Sequence, residues 1–190
     1  MNRKTSEEGE RMCNNKEHTW VVIRTFNRRE GVLSEFLRQR GVTHFIPVHY
    51  AEKFAGPDRK PRRVLVPIIH NFVFICKSMP MAELESLLSE CAIPLYILKT
   101  KETNQPAEIS NREMLDFRML CDPAFQNQVT VRQAEEEADT SIGREVEIVH
   151  GAFKGVRGRL YRKQKQYWFI KTLVGISIEL RITRWFCKPL

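Results

Sequence analysis

The stretch HGAFKGVRGRLYR, residues 150–162, sets Gly151, Gly155 and Gly158 among His150, Lys154, Arg157, Arg159 and Arg162. Glycines beside cations can cradle phosphate, or they can bend a chain that happens to carry positive charge. A phosphate loop of the G-x-x-x-x-G-K-[ST] type needs a helix behind it, so that backbone N–H groups converge on the anion. Neither the spacing nor a Gly-Lys-Ser/Thr run is present, and Leu160–Arg162 reads as strand. A dinucleotide fingerprint fails for the same reason. The glycines are therefore expected to be bends, with Phe153 tucked into a small core and Lys154, Arg157, Arg159 and Arg162 displayed as a basic partner surface.

Short strand-like runs surround this stretch: REVEIVH, GRLYRKQ, YWFIKTL, ISIELRI and RWFCKPL. Five of them in about 50 residues, without a helical period, predict a small closed β-barrel. Their β-branched and aromatic content favours strands over helices. Upstream, residues 126–141 lose the apolar pattern and end in an acidic cluster, as a linker does.

Charge is partitioned along the chain. Residues 141–190 carry 11 Lys and Arg against Glu145, Glu147 and Glu179, a net +8 that equals the charge of the whole protein. An excess confined to one segment points to a polyanionic partner. Residues 1–17 have no apolar signal-like core and read as a disordered tail, and no run is long and apolar enough to span a bilayer. A cytoplasmic protein is expected. The five cysteines show no C-x-x-C spacing, and His44 and His49 fall on opposite faces of a strand, so no metal site and no cofactor is expected.

In residues 18–125, TWVVIRTF (19–26) predicts a buried strand, and NRREGVLSEFLRQRG a helix opened by an Asn27–Glu30 capping box and stopped by Gly41. HFIPVHYAEKF (44–54) and VLVPIIHNFVFICK (64–77) read as strands joined through a basic tip, GPDRKPRR (56–63). A helix at MAELESLLSE, a strand at 93–100 and a third helix opened by Ser110 and Glu113 follow. The first six elements, β-α-β-β-α-β, match a ferredoxin-like arrangement within an α+β protein.

VEIVHGAFKGVRGRL resembles the KOW motif, and Trp20 through Phe26 to Glu30, with VPIIHNFVFI (66–75), resembles the N-terminal (NGN) domain of the NusG family. The resemblance covers residues 18–190 and implies an NGN domain (18–125), a linker (126–141) and a KOW domain (142–190). His70-Asn71 stands where the family usually has Pro-Gly, and Arg28 where it has Gly. IIHNFVFI together with Met114 and Phe117 is similar to the UpxY-type paralogues that serve capsular polysaccharide operons.

The resemblance implies a non-enzymatic elongation or antitermination factor, a monomer, that grips the clamp helices of RNA polymerase through Ile69, Phe72 and Phe74. It also makes Arg24, Arg28, Arg29, Lys53, Arg59, Lys60, Arg62 and Arg63 candidates for contact with non-template DNA or nascent RNA. The KOW domain is then a site for ribosomal protein S10, Rho or nucleic acid. A general NusG-type factor and a ribosome- or RNA-binding KOW protein are the alternatives.

Overall fold

A computed structural model describes residues 18–54, 61–101, 103–133 and 143–190. They form a mixed α/β structure with few helices, divided into two compact units. One unit takes the described residues up to Ile46 with His70–Met114; the other takes Pro47–Ile69 with Leu115–Leu190.

In the first unit, β1 (Thr19–Thr25) lies between β5 (Phe72–Lys77) and β6 (Leu95–Ile97), and β2 (His44–Phe45) pairs with the far side of β5, all antiparallel. A short β7 (Glu108–Ser110) also pairs with β1. Alternation splits the sheet into two faces. Val21, Ile23, Val73 and Ile75 pack against Leu33 and Leu37 of α1 (Glu30–Gln39) and Leu84 and Leu88 of α2 (Met81–Ser89). Each such side chain contributes about 1.5–3 kcal/mol on burial. The opposite face carries Trp20, Val22, Arg24, Phe72 and Phe74, since Val22 sits opposite Phe74 and Arg24 opposite Phe72.

Local chemistry explains the helix ends. Gly41 takes φ +69° while its N–H reaches Arg38 O and that of Val42 reaches Leu37 O, a double bond pattern that closes α1 as expected. The third helix, α3 (Asn111–Leu120), opens with the expected reciprocal box: Ser110 N–H and Oγ donate to Glu113, whose N–H donates back to Ser110 Oγ. The box expected at Asn27–Glu30 does not form. Asn27 and Arg28 both adopt left-handed φ, and Glu30 turns its carboxylate to residues 70 and 71 instead.

Two expected strands are broken by proline-containing bends. Residues 44–54 divide at Pro47 into β2 and β3 (Val48–Phe54), and 64–77 divides into β4 (Pro61–Pro67) and β5. Proline lacks an N–H and cannot continue a ladder. β3 and β4 form a separate two-stranded sheet, with Arg62 and Arg63 on the strand rather than in the tip; residues 55–60 lie outside the described residues.

The second unit is dominated by a six-stranded antiparallel sheet in the order β13-β9-β10-β11-β12-β8. β9 (Arg144–Ile148), β10 (Arg157–Lys163), β11 (Gln166–Leu173), β12 (Ile176–Ile182) and β13 (Cys187–Pro189) are the five expected strands. The sixth, β8 (Val129–Gln133), was expected to be linker and instead pairs with β12. Its Val-Thr-Val alternation is a strand pattern too short to stand out beside the polar residues around it.

Two of the three opening glycines act as the expected bends, and Gly158 lies within β10 instead. Gly151 and Gly155 have φ of +85° and +92°, and Gly155 N–H donates to Ile148 O at 2.7 Å. Phe153 between them is buried against Phe125 in an edge-on ring contact. Gly158 serves close approach: a Cβ there meets the Phe169 ring at 2.5 Å and Ile170 O at 2.6 Å. Gly158→Ala is therefore expected to destabilise by about 1–3 kcal/mol in urea unfolding. Gly31→Ala, inside α1 with nothing within 4 Å of the added carbon, should stabilise by about 0.5–1 kcal/mol.

Among the described residues of this unit, Asp116 is the buried charge. Its Oδ2 accepts the Arg157 N–H at 3.2 Å and lies 3.4 Å from Lys171 Nζ, tying α3 to β10 and β11. Asp116→Ala leaves the half-buried Lys171 without this partner and should cost about 3 kcal/mol by denaturant titration, while joint replacement with Lys171→Met recovers much of the loss.

Candidate functional site

The first unit presents an arginine loop built by one turn. Asn71 adopts φ +69°, which asparagine tolerates better than most side chains. Its carbonyl accepts the Thr25 N–H at 2.9 Å, and its Oδ1 accepts the Arg28 N–H at 2.8 Å. Glu30 completes the knot, accepting the Asn71 N–H at 3.3 Å and lying 2.8 Å from His70 Nδ1. Burial alone pushes the Glu30 carboxyl up, but hydrogen bonds from His70, from its own backbone and from Asn71 outweigh it and hold the group below its ordinary value. Arg28 and Arg29 are thereby held on the surface in a defined loop.

Aromatic side chains adjoin this loop. Arg24 sits opposite Tyr96 in the β1–β6 register, so Tyr96 shares a face with Phe72 and Phe74. Phe26 continues the same alternation, and its ring centroid is 5.8 Å from that of Tyr96. Phe26 and Tyr96 are 44% and 41% exposed, whereas Ile69, Phe72 and Phe74 are 5%, 4% and 0% exposed. The three side chains expected to meet a partner are thus buried. Arg24 is half-buried, its guanidinium 5.4 Å from the Phe72 ring centroid. The sequence reading missed Phe26 and Tyr96; only the strand register assigns them to this face.

In the second unit, Lys53, Arg62 and Arg63 line the β3–β4 hairpin. Lys53 stands opposite Arg62, Glu52 opposite Arg63, and the Arg63 guanidinium lies 4.1 Å from the centre of the Tyr50 ring. Arg59 and Lys60 fall outside the described residues. Of the expected partner-surface cations near the glycines, Arg157 pairs with Glu147 at 2.9 Å and Arg159 lies 3.8 Å from Glu145. Arg162 is exposed beside the Tyr167 ring, and Lys154 is exposed in the glycine turn.

Among the described residues no group of His, Cys, Asp or Glu is arranged to hold a metal ion, and no helix is long and apolar enough to cross a membrane. Burial drives the Cys121 thiol far up from its ordinary value, which is the reverse of what a reactive thiolate needs.

The Glu30 knot carries a pH dependence of defined sign. The folded-state carboxyl titrates below the unfolded one, so the unfolded chain binds the extra proton. The resulting stability is fully present above 4.5, the ordinary value, and is lost as pH falls through the lowered one. Glu30→Ala should cost about 1–3 kcal/mol at neutral pH, and its deficit relative to wild type should shrink below pH 4.5 in urea titrations. A deficit that stays constant into strong acid would count against this assignment.

A protein-family model described as Transcription termination factor nusG matches residues 18–118. No curated protein matches the chain. Among solved structures, the chain is similar to one titled "Domain interaction in Thermotoga maritima NusG", at 14% identity and a TM-score of 0.42, over 92% of this chain and 98% of that one. Residues 18–118 make up more than half of the 190, and they include β1, the Asn71 turn and the arginine loop that organise the first unit. On that match the chain belongs to the NusG family of non-enzymatic transcription factors.

Proposed function

We propose that this protein is a transcription elongation or antitermination factor that binds RNA polymerase through its NGN portion. The observation that carries the reading is the family match over residues 18–118, joined to an exposed aromatic pair beside an exposed arginine loop. In this reading Phe26 and Tyr96 make first contact with the clamp helices. Ile69, Phe72 and Phe74 are buried and meet polymerase only where they become uncovered. A few rigid aromatic anchors dominate affinity at such helix-binding surfaces.

Arg24, Arg28 and Arg29, with Lys53, Arg62 and Arg63 of the hairpin, are proposed to track the phosphates of the non-template strand or the nascent transcript. The fold reading that goes with this function is a ferredoxin-like NGN domain, a linker and an SH3-like KOW barrel. The KOW portion is proposed to recruit ribosomal protein S10 or Rho through Lys154 and Arg162, where Arg157 and Arg159 are engaged by glutamates. Specialisation for a polysaccharide-biosynthesis operon, of the UpxY type, is supported by the IIHNFVFI stretch and by Met114 and Phe117.

Core RNA polymerase captured by the tagged full-length protein tests the reading. Because both rings are exposed, the Phe26→Ala/Tyr96→Ala variant should keep its melting temperature and lose binding by about 30-fold. Wild-type protein that captures no polymerase refutes the reading outright. Undiminished capture by the double variant refutes the assigned surface.

A further inference from the structure

The most exposed aromatic side chain of the described residues belongs to the second unit. Trp185 is 87% exposed, and its neighbour Phe186 is 43% exposed. An indole left in water forfeits a large burial contribution, and here it belongs to the segment that carries the protein's whole net charge.

The two rings sit on a turn fixed at both ends. Arg184–Phe186 is a single 3-10 turn between β12 and β13, closed by Phe186 N–H to Thr183 O at 3.0 Å. Val149 N–H donates to Phe186 O at 2.8 Å, and β13 pairs at once with β9, Cys187 opposite Ile148. The His150 ring packs 5.6 Å from the Phe186 ring. The backbone of the turn is therefore held by strand pairing, so little main-chain ordering is needed when a ligand arrives. Exposed Arg181, Arg184 and Lys188 flank it along the chain.

We propose that Trp185 and Phe186 form a base-stacking platform for single-stranded RNA, with Arg181, Arg184 and Lys188 meeting its phosphates. Flat rings accept any base face, but only a strand whose bases are unpaired can offer one. Duplex DNA hides its bases, whereas a transcript leaves as a single strand; the choice of RNA rests on the transcription reading above. Charge complementarity favours a polyanion, and the exposed rings favour one that carries bases.

The test uses the full-length protein and a fluorescein-labelled single-stranded RNA of about twelve nucleotides, followed by anisotropy. No polymerase is present, so the outcome is independent of polymerase binding. Trp185→Ala should weaken binding at least about tenfold at unchanged melting temperature, and Trp185→Phe should restore most of it. Arg184→Ala should lower the slope of log affinity against log salt by about one. Equal affinity of the Trp185→Ala variant, equal affinity for the matching duplex, tighter binding of the matching single-stranded DNA, or equal competition by polyglutamate would each overturn the proposal.

Discussion

The left-handed turn at Asn71 is the constraint on which the first unit depends. One residue supplies a carbonyl to the end of β1, an amide oxygen to the arginine loop and an N–H to the first carboxylate of α1. These bonds join strand, loop and helix, which no run of neighbouring residues could do. They also explain why Asn27 and Arg28 can hold left-handed backbone: the strain is offset where Asn71 and Glu30 satisfy the chain around them. The loop that displays cations is thus an outgrowth of the same knot that begins the helix.

Features fixed by near neighbours were legible in sequence. Gly41 announces the end of α1, and Ser110 with Glu113 the start of α3, because each closes on residues within one turn. Gly151 and Gly155 read correctly as bends because the failed phosphate-loop spacing left little else, whereas Gly158 sits within β10 and answers to a close approach that sequence does not show. Glu30 misled because its partner lies 41 residues away and competes successfully with the local cap. The breaks at Pro47 and in the segment after Pro67 were signalled by the prolines themselves and were outweighed by the apolar runs around them.

The candidate surfaces were less legible. Phe72 and Phe74 share one face, but that face also holds Trp20, whose Nε1–H donates to the buried Asn111, and Phe45 packs beside Phe74. Burial of an aromatic depends on what covers it, which alternation cannot report. Phe26 and Tyr96 are separated by 70 positions, and only the pairing of β1 with β6 brings them together. Cation identity was plain in the sequence, but engagement was not, since Arg157 and Arg159 face glutamates on the neighbouring strand.

The strand drawn from the linker has a practical consequence. β8 occupies the outer edge of β12 from Ile176 to Leu180. A fragment begun at residue 142, as the motif boundaries invite, strips that strand away and bares a row of unsatisfied amides and carbonyls along an apolar, β-branched sequence. Such an edge recruits other chains, so the truncated piece is prone to self-associate and to register partners that the intact protein ignores. Val129–Gln133 here is also the guard on the β12 edge of the sheet.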